Sequence, residues 1–589
     1  MDPSAGIHYG SWTNWEDGRI QGGRITLPEN QGDYLITFLA LFVQLASQHT
    51  WGIFCFLTFT FEKTSHNSDK LESGRRAIVR NAGSDSSTAW QLLSLGWDHR
   101  KISRRITLYA IAALAHLLAF TAAGILVSQV AMSSTQVLVK GQVGKCGQWD
   151  VASASTPHCT NTEFEIAENT AWDNNLGTVI QTASTFTKQC YNTTTTPLDE
   201  ATQHTQRSAA DTVNCNAIGP GLVKWNVSTD IACPFASQMC PSGAVRFDSG
   251  LLDSQHHFGI NSRKKDRVKY RRVTECAVLT QGGYISQPLR YSQGNLSNEE
   301  PFYGGSLTLL QNSTFVEYYY GETLDHTTNA TYIWSNASTP NDGYGNADST
   351  SSCPYTMKTK LHTVENPLES DFTPIDALKR ADADVVLLFL HSDASYTGPV
   401  YDPWFLATES FGGNCVPQDL TGKGASIGLT NWAQTLYASV MACTEQYQYC
   451  NHDSSRCSPL TGSAPGGSVR QAMTNLQAGL DLNPRQKATQ ERLFQASFTS
   501  DINTVVERLP IGLNVLAPLS GNYFNLPPLP DNQWILEMQH YFVTGLASVQ
   551  LSIAAYASGP LKASNDQYLQ KPTNKSEGWA CDNQIVQRV

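Results

Sequence analysis

The sequence predicts an α+β, membrane-anchored chain. An N-terminal two-helix transmembrane hairpin precedes a large disulfide-linked lumenal or extracellular domain with a helical C-terminal part. Three observations predict this. Residues 34–61 and 106–130 contain no charged side chain, and about 20 apolar residues in helical form cross a bilayer. Residues 61–105 carry nine Lys/Arg against five acids, the excess that marks a cytoplasmic loop between spans. Twelve of the 14 cysteines fall within 131–531, as expected of a domain that matures where thiols oxidise.

Each segment follows in order. Residues 1–33 are polar, with a net charge of −3, and form an exterior N-terminal segment. The first apolar run, 34–61, is too long for the h-region of a signal peptide. It is therefore expected to be an uncleaved first transmembrane helix with its N-terminus outside. Its polar middle, Gln44, Gln48 and His49, is expected to pair with the second span near His116. Residues 62–105 form the basic cytoplasmic loop and 106–130 the second transmembrane helix. Residues 131–531 form the lumenal or extracellular domain, with a net charge of −12. Such an acidic domain lacks the basic footprint that nucleic acid requires.

The disulfide candidates are Cys146, Cys159, Cys190, Cys215, Cys233, Cys240, Cys276, Cys353, Cys415, Cys443, Cys450 and Cys457. Cys55 lies in the first span and Cys581 in the tail. No C-x-x-C is present, which speaks against zinc or thioredoxin-like chemistry. Six N-x-S/T sequons in the same segment, at Asn192, Asn226, Asn295, Asn312, Asn329 and Asn336, are candidate glycosylation sites.

Within the domain, residues up to about 220 read as loop. Strand-like alternation marks 266–278, 306–310, 315–320 and 331–334. The continuous apolar run at 384–390 (DVVLLFL) reads as a buried strand. Beyond Gly424 the chain is expected to turn helical, including 432–441. Asn483 caps a helix with Pro484 at its first position, and Phe494, Phe498, Ile502, Val505 and Leu509 mark one face of it. Residues 532–557 form an amphipathic helix or a third transmembrane helix. If they do not span, Asn574 becomes a glycan acceptor and Cys581 joins the oxidised set. Residues 558–589 are the C-terminal tail.

No stretch carries a catalytic signature. Gly424-Ala425-Ser426-Ile427-Gly428 matches G-x-S-x-G, but the preceding residues are loop-like where a nucleophile elbow needs a strand. The basic run 263–272 (RKKDRVKYRR) reads as a solvated strand edge, with capture of an anionic ligand as the sharper alternative. His256 and His257 would point to opposite faces of a strand and not share a metal. No metal site and no cofactor are expected.

Several stretches carry a resemblance: Ser11-Trp12-Thr13-Asn14-Trp15 with Gly18-Arg19-Ile20-Gln21-Gly22, 34–43 (YLITFLALFV), Cys233-Pro234-Phe235-Ala236-Ser237, 258–279 (FGINSRKKDRVKYRRVTECAVL), 399–405 (PVYDPWF) and 442–450 (ACTEQYQYC). Together they span most of the chain. They resemble a family of fungal membrane proteins often encoded beside natural-product genes, in a group that extends to norbornene-forming Diels–Alderase activity in diterpenoid biosynthesis. The resemblance implies a membrane-bound enzyme of secondary-metabolite (terpenoid or polyketide) biosynthesis promoting a cyclisation such as an intramolecular Diels–Alder reaction. It implies membrane lipid, an apolar small-molecule intermediate and pathway oxidases as partners, in the endoplasmic reticulum or plasma membrane. It supplies no catalytic residue. The competing expectation is a non-enzymatic glycosylated cell-surface or pathway-scaffolding membrane protein.

Overall fold

The computed structural model describes residues 6–61, 70–98, 104–132, 136–141, 146–147, 149, 163–191, 215, 221–290, 314–323, 329–335, 354–364, 370–412, 430–464, 469–510, 515–517, 524–559 and 568–587. The chain is a mixed helix-and-strand protein that divides into two compact units. The larger comprises Met1–His8, Thr13–Gly23 and Val137–Val589; the smaller comprises Tyr9–Trp12 and Arg24–Gln136.

The smaller unit is helical. Its long members are α1 (Glu29–Phe61) and α4 (Arg104–Met132), of 33 and 29 residues. At 1.5 Å per residue they extend for about 50 and 43 Å, and both are long and apolar enough to cross a membrane. The connecting 62–105, expected as a loop, forms two further helices, α2 (Lys70–Arg80) and α3 (Asp85–Asp98). In α2 the Nη2 of the buried Arg75 pairs with Glu72, 2.6 Å away. Helix α3 lies along α4, and its Asp85 Oδ2 meets His116 Nδ1 at 2.9 Å. The other ring nitrogen of His116 meets Thr50 Oγ1 at 3.0 Å. The pairing expected of α1 with His116 is thus made by Thr50, not by Gln44, Gln48 or His49, which are exposed. Helical phase is the reason. Trp51 and Cys55 set the inward face, while Gln44, Gln48 and Gly52 recur every fourth residue on the outward one.

The larger unit is built on an antiparallel sheet of seven strands. In chain order they are β1 (Asn226–Ile231), β2 (Ala244–Asp248), β3 (Leu252–Asp253), β4 (Lys269–Val278), β5 (Tyr355–His362), β6 (Asp384–Ser392) and β7 (Ser439–Cys450). They lie in the order β5-β6-β7-β4-β2-β1, with β3 also paired to β4. The apolar run of β6 follows from burial on both faces. Val386, Leu388 and Leu390 join the core under the helices. Val385, Leu387 and Phe389 join a second core with Val316, Tyr318, Tyr332 and Trp334 from a small three-stranded sheet.

Among the described residues, six helices of seven or more residues belong to this unit: α5 (Glu163–Cys190), α6 (Val469–Gln477), α7 (Pro484–Phe498), α8 (Ile502–Arg508), α9 (Gln533–Ser558) and α10 (Lys575–Cys581). Asn483 caps α7 as expected, its Oδ1 accepting from Arg485 and Gln486 N–H at 3.0 Å while Gln486 Oε1 accepts from Asn483 N–H at 2.9 Å. The expected single helix beyond it is two. The chain breaks before Asp501, whose carboxylate caps α8 by accepting from Thr504 N–H at 2.7 Å.

Four further expectations are corrected. The region before 220, read as loop, contains the 28-residue α5, whose Trp172, Leu176, Val179, Ala183, Phe186 and Cys190 form one stripe against the core. Residues 432–441, read as helix, contribute to the strand Thr430–Ala433 and to β7. The basic run is no edge, because β4 lies between β7 and β2. Arg271 pairs with Asp248, Arg267 with Glu16 at 2.9 Å, and Arg272 with Glu445, while Arg263, Lys264 and Lys265 are exposed as a solvated run would be. Finally, α9 is a core element with nearly all of its 26 residues buried, so the alternative of a third span does not fit it.

Five disulfides staple the described part of the larger unit: Cys146–Cys581, Cys190–Cys215, Cys233–Cys240, Cys276–Cys443 and Cys450–Cys457. Cys581, whose oxidation is expected only if 532–557 does not span, is bonded. Cys159, Cys353 and Cys415 lie outside the described residues. The N-terminal segment packs on the same unit. Gly6 O accepts from Lys140 N–H at 2.8 Å, Trp15 N–H donates to Asn261 Oδ1 at 3.0 Å, and Arg263 stacks on the Trp15 ring.

Two buried carboxylates fix the start of α9. Asp402 accepts from the backbone N–H groups of Trp404, Phe405 and Trp534 at 2.9–3.0 Å. Glu537 accepts from Leu516 and Ala517 N–H and from Gln533 Nε2 at 2.7–2.9 Å. Burial outweighs these bonds and pushes both carboxyls up to about 7. Their unfolded values are near 4, so the folded state binds the extra protons between about pH 4 and 7. The associated stability is full below about pH 4 and is lost as pH rises through about 7. Denaturant midpoints of the wild type and of the Asp402→Asn/Glu537→Gln variant, compared between about pH 5 and 8, are expected to show a smaller decline in the variant. An equal decline in both would refute the assignment.

Candidate functional site

Helices α5, α7 and α9 converge on a cleft that encloses about 700 Å³ of space, part of it open to solvent. Its closed part is only about 90 Å³, below the roughly 300–1,000 Å³ of enclosed small-molecule sites, so a larger ligand would lie partly in the open groove. Helix α5 contributes Trp172, Asn175, Leu176 and Val179. Helix α7 contributes Arg492, Gln495 and Ala496, with Thr499 just past its end, and α9 contributes Ser552, Ile553, Ala555 and Tyr556. Gly147, Trp149 and Leu569 complete the lining at one end. The Cys146–Cys581 bond holds Gly147 and Trp149 at this end, and Trp149 stacks on Tyr568 with ring centroids 6.4 Å apart.

Helical spacing places these groups. On α5, Trp172, Leu176 and Val179 continue the core stripe at intervals of four and three residues, and Asn175 sits beside them. Along α7 and just past its end, Arg492, Gln495, Ala496 and Thr499 recur at the same intervals. The walls are apolar and aromatic, with polar groups set into them.

Three lining residues carry a buried polar atom with no hydrogen-bond partner: Asn175 Oδ1, Gln495 Oε1 and Arg492 Nε. Native interiors satisfy nearly all such atoms; these three are among nineteen in the described residues and are themselves closed to solvent, so a ligand would reach them only after a local side-chain shift. Arg492 is only 4 % exposed. Its Nη2 donates to Ile553 O at 2.8 Å, and its guanidinium lies 3.6 Å from the centroid of the Tyr556 ring. Burial pulls the guanidinium down to about 10, partly offset by Tyr556.

No known protein family, curated protein or solved structure matches this chain.

A second polar cluster lies between α5 and α9. His540 Nε2 meets Ser184 Oγ at 3.2 Å, and Thr187 Oγ1 meets Thr544 Oγ1 at 3.0 Å. Burial, aided by Lys188, holds His540 down to about 3, so it is neutral and ties the two helices together. Among the described residues no three or more His, Cys, Asp or Glu gather as metal ligands. His257 does not lie on a strand; its Nδ1 accepts from Asp253 N–H at 2.9 Å in a turn.

Of the sequon asparagines, Asn226 and Asn329 are exposed. Asn192, Asn295, Asn312 and Asn336 lie outside the described residues, as does the G-x-S-x-G stretch. Asn574 is exposed and caps α10, accepting from Ser576 and Glu577 N–H. None of the cleft residues stood out in the sequence. The available signal was the α5 stripe, which a Thr- and Asn-rich composition disguises.

Proposed function

We propose that the chain is a membrane-anchored enzyme of fungal secondary-metabolite biosynthesis. It receives an apolar terpenoid or polyketide intermediate in the α5–α7–α9 cleft and promotes a cyclisation such as an intramolecular Diels–Alder reaction. The observation that carries this reading is the aromatic-walled cleft with its three unsatisfied polar atoms. In such a cycloaddition two carbon–carbon σ bonds form at the expense of two π bonds, and nothing is transferred to or from the protein. Holding diene and dienophile in reactive alignment supplies up to roughly 7–11 kcal/mol. The Asn175 and Gln495 amides can donate to a carbonyl that gains charge as the bonds form.

Anchoring fits the same reading. Helices α1 and α4 are long and apolar enough to span. The segment before α1 packs on the unit that follows α4, so two crossings return the chain to one side. Disulfides and exposed sequons suit the lumenal or extracellular side. Lipid then serves as a reservoir for the substrate.

Deletion of the coding sequence in the native host tests the proposal through metabolite profiling. The expected result is accumulation of an uncyclised precursor, reversed by the wild-type chain but not by a Trp172→Ala/Gln495→Leu variant of equal abundance. An unchanged metabolite pattern would leave the non-enzymatic surface or scaffolding role in its place.

A further inference from the structure

Among the described residues, buried arginines in the larger unit have carboxylate partners, with one exception. Arg272 is paired with Glu445, and Arg267 with Glu16 and Asp253. Arg492 has no carboxylate within ion-pair distance among the described residues, although its exposure is comparable to theirs. A buried charge without a partner costs several kcal/mol, so the fold is expected to gain from an anion at this point. Two backbone carbonyls orient the guanidinium, Ile553 O at 2.8 Å and Ala580 O at 3.5 Å. Tyr556 covers one face. Nε remains without an acceptor.

We propose that the cleft takes an amphipathic carboxylic acid, with Arg492 receiving the carboxylate and the walls around Trp149 and Trp172 receiving the apolar body. This rests on the reading of the cleft as a ligand site. The choice of carboxylate over phosphate follows from charge. Among the described residues Arg492 is the single basic residue lining the cleft, which matches one negative charge, whereas a phosphate group carries up to about two and favours a cluster of cations. The Asn175 and Gln495 amides each supply N–H donors and a carbonyl acceptor and can share the head group or a second oxygen of the ligand. The depressed basicity of Arg492 agrees with a cation awaiting its counter-charge, because an adjacent carboxylate would raise it.

The test uses the full chain in lipid nanodiscs at about pH 7.5, with abietic acid and its methyl ester as probes and tryptophan fluorescence as the readout. The acid is expected to bind about ten-fold or more tighter than the ester, the factor expected of a charge-assisted hydrogen bond. Arg492→Gln is expected to abolish that preference while leaving ester binding within about two-fold, and Arg492→Lys to restore part of it. Equal binding of acid and ester by the wild type overturns the carboxylate assignment and leaves the cleft standing as an apolar site. A loss of both probes alike in Arg492→Gln, with unchanged far-UV circular dichroism, also overturns it, since the side chain would then only support the walls. Binding of neither probe overturns the ligand site itself.

Discussion

Arg272→Met is expected to destabilise the larger unit by about 3–5 kcal/mol, the cost of leaving one member of a buried ion pair without its partner. Arg272 and Glu445 are both essentially inaccessible. The guanidinium bonds Glu445 Oε1 through Nε at 3.0 Å and through Nη2, and its Nη1 donates to Ser500 O at 2.7 Å. The other carboxylate oxygen accepts from Ile502 N–H at 3.0 Å. The pair therefore joins β4 and β7 to the start of α8. Removing Arg272 strands a carboxylate beside Asp501, a half-buried acid. The double variant Arg272→Met/Glu445→Leu is expected to recover much of the loss, because hydrophobic replacement of a whole buried pair is often neutral. Urea unfolding of the two variants decides the matter. A double variant no more stable than the single one would show that the stranded charge is not the cause.

Gly545→Ala is expected to destabilise by about 3 kcal/mol, at the upper end of overpacking, against the usual rule for a helix interior. There the change from Gly to Ala gains about 1 kcal/mol. Gly545 lies in α9 where the helix passes over the ion pair. A Cβ at this position would overlap Arg272 Nη1 and the backbone oxygen of Ser500. Neither can retreat easily, since each is the other's hydrogen-bond partner. A midpoint equal to or above that of the wild type would refute the close approach. The two substitutions are also expected to be non-additive, as they damage the same contact.

Much of the architecture could be read from residue order because local physics dictated it. A span needs only length and apolarity, and a strand buried on both faces needs only the run found in β6. The Asn483-Pro484 start of α7 declares itself through its own side chain. Other elements depend on distant partners. The 263–272 run looks solvated until Asp248, Glu445 and Glu16 are brought to it from remote parts of the chain. Helix α5 hides a regular apolar stripe among Thr, Asn and Ser, residues that compete locally with helix formation. The cleft is harder still, because its walls come from three helices and a loop separated along the chain. Arg492 reads as an ordinary solvated helix residue. Only its burial beneath Tyr556, with no carboxylate within ion-pair distance among the described residues, makes it unusual.

The Cys146–Cys581 bond spans 435 positions and brings an early segment of the larger unit to a late one. Gly141 N–H also donates to Cys581 O at 2.7 Å, and Ile585 N–H donates to Gly259 O at 2.7 Å. A nascent polypeptide cannot shut this clasp until Cys581 has emerged from the ribosome. Every copy terminated before that residue consequently carries an unmated sulfhydryl at Cys146, next to the wall that should hold Trp149. Such a thiol stays open to thiol–disulfide exchange, so only a chain carried through to Cys581 can close the clasp.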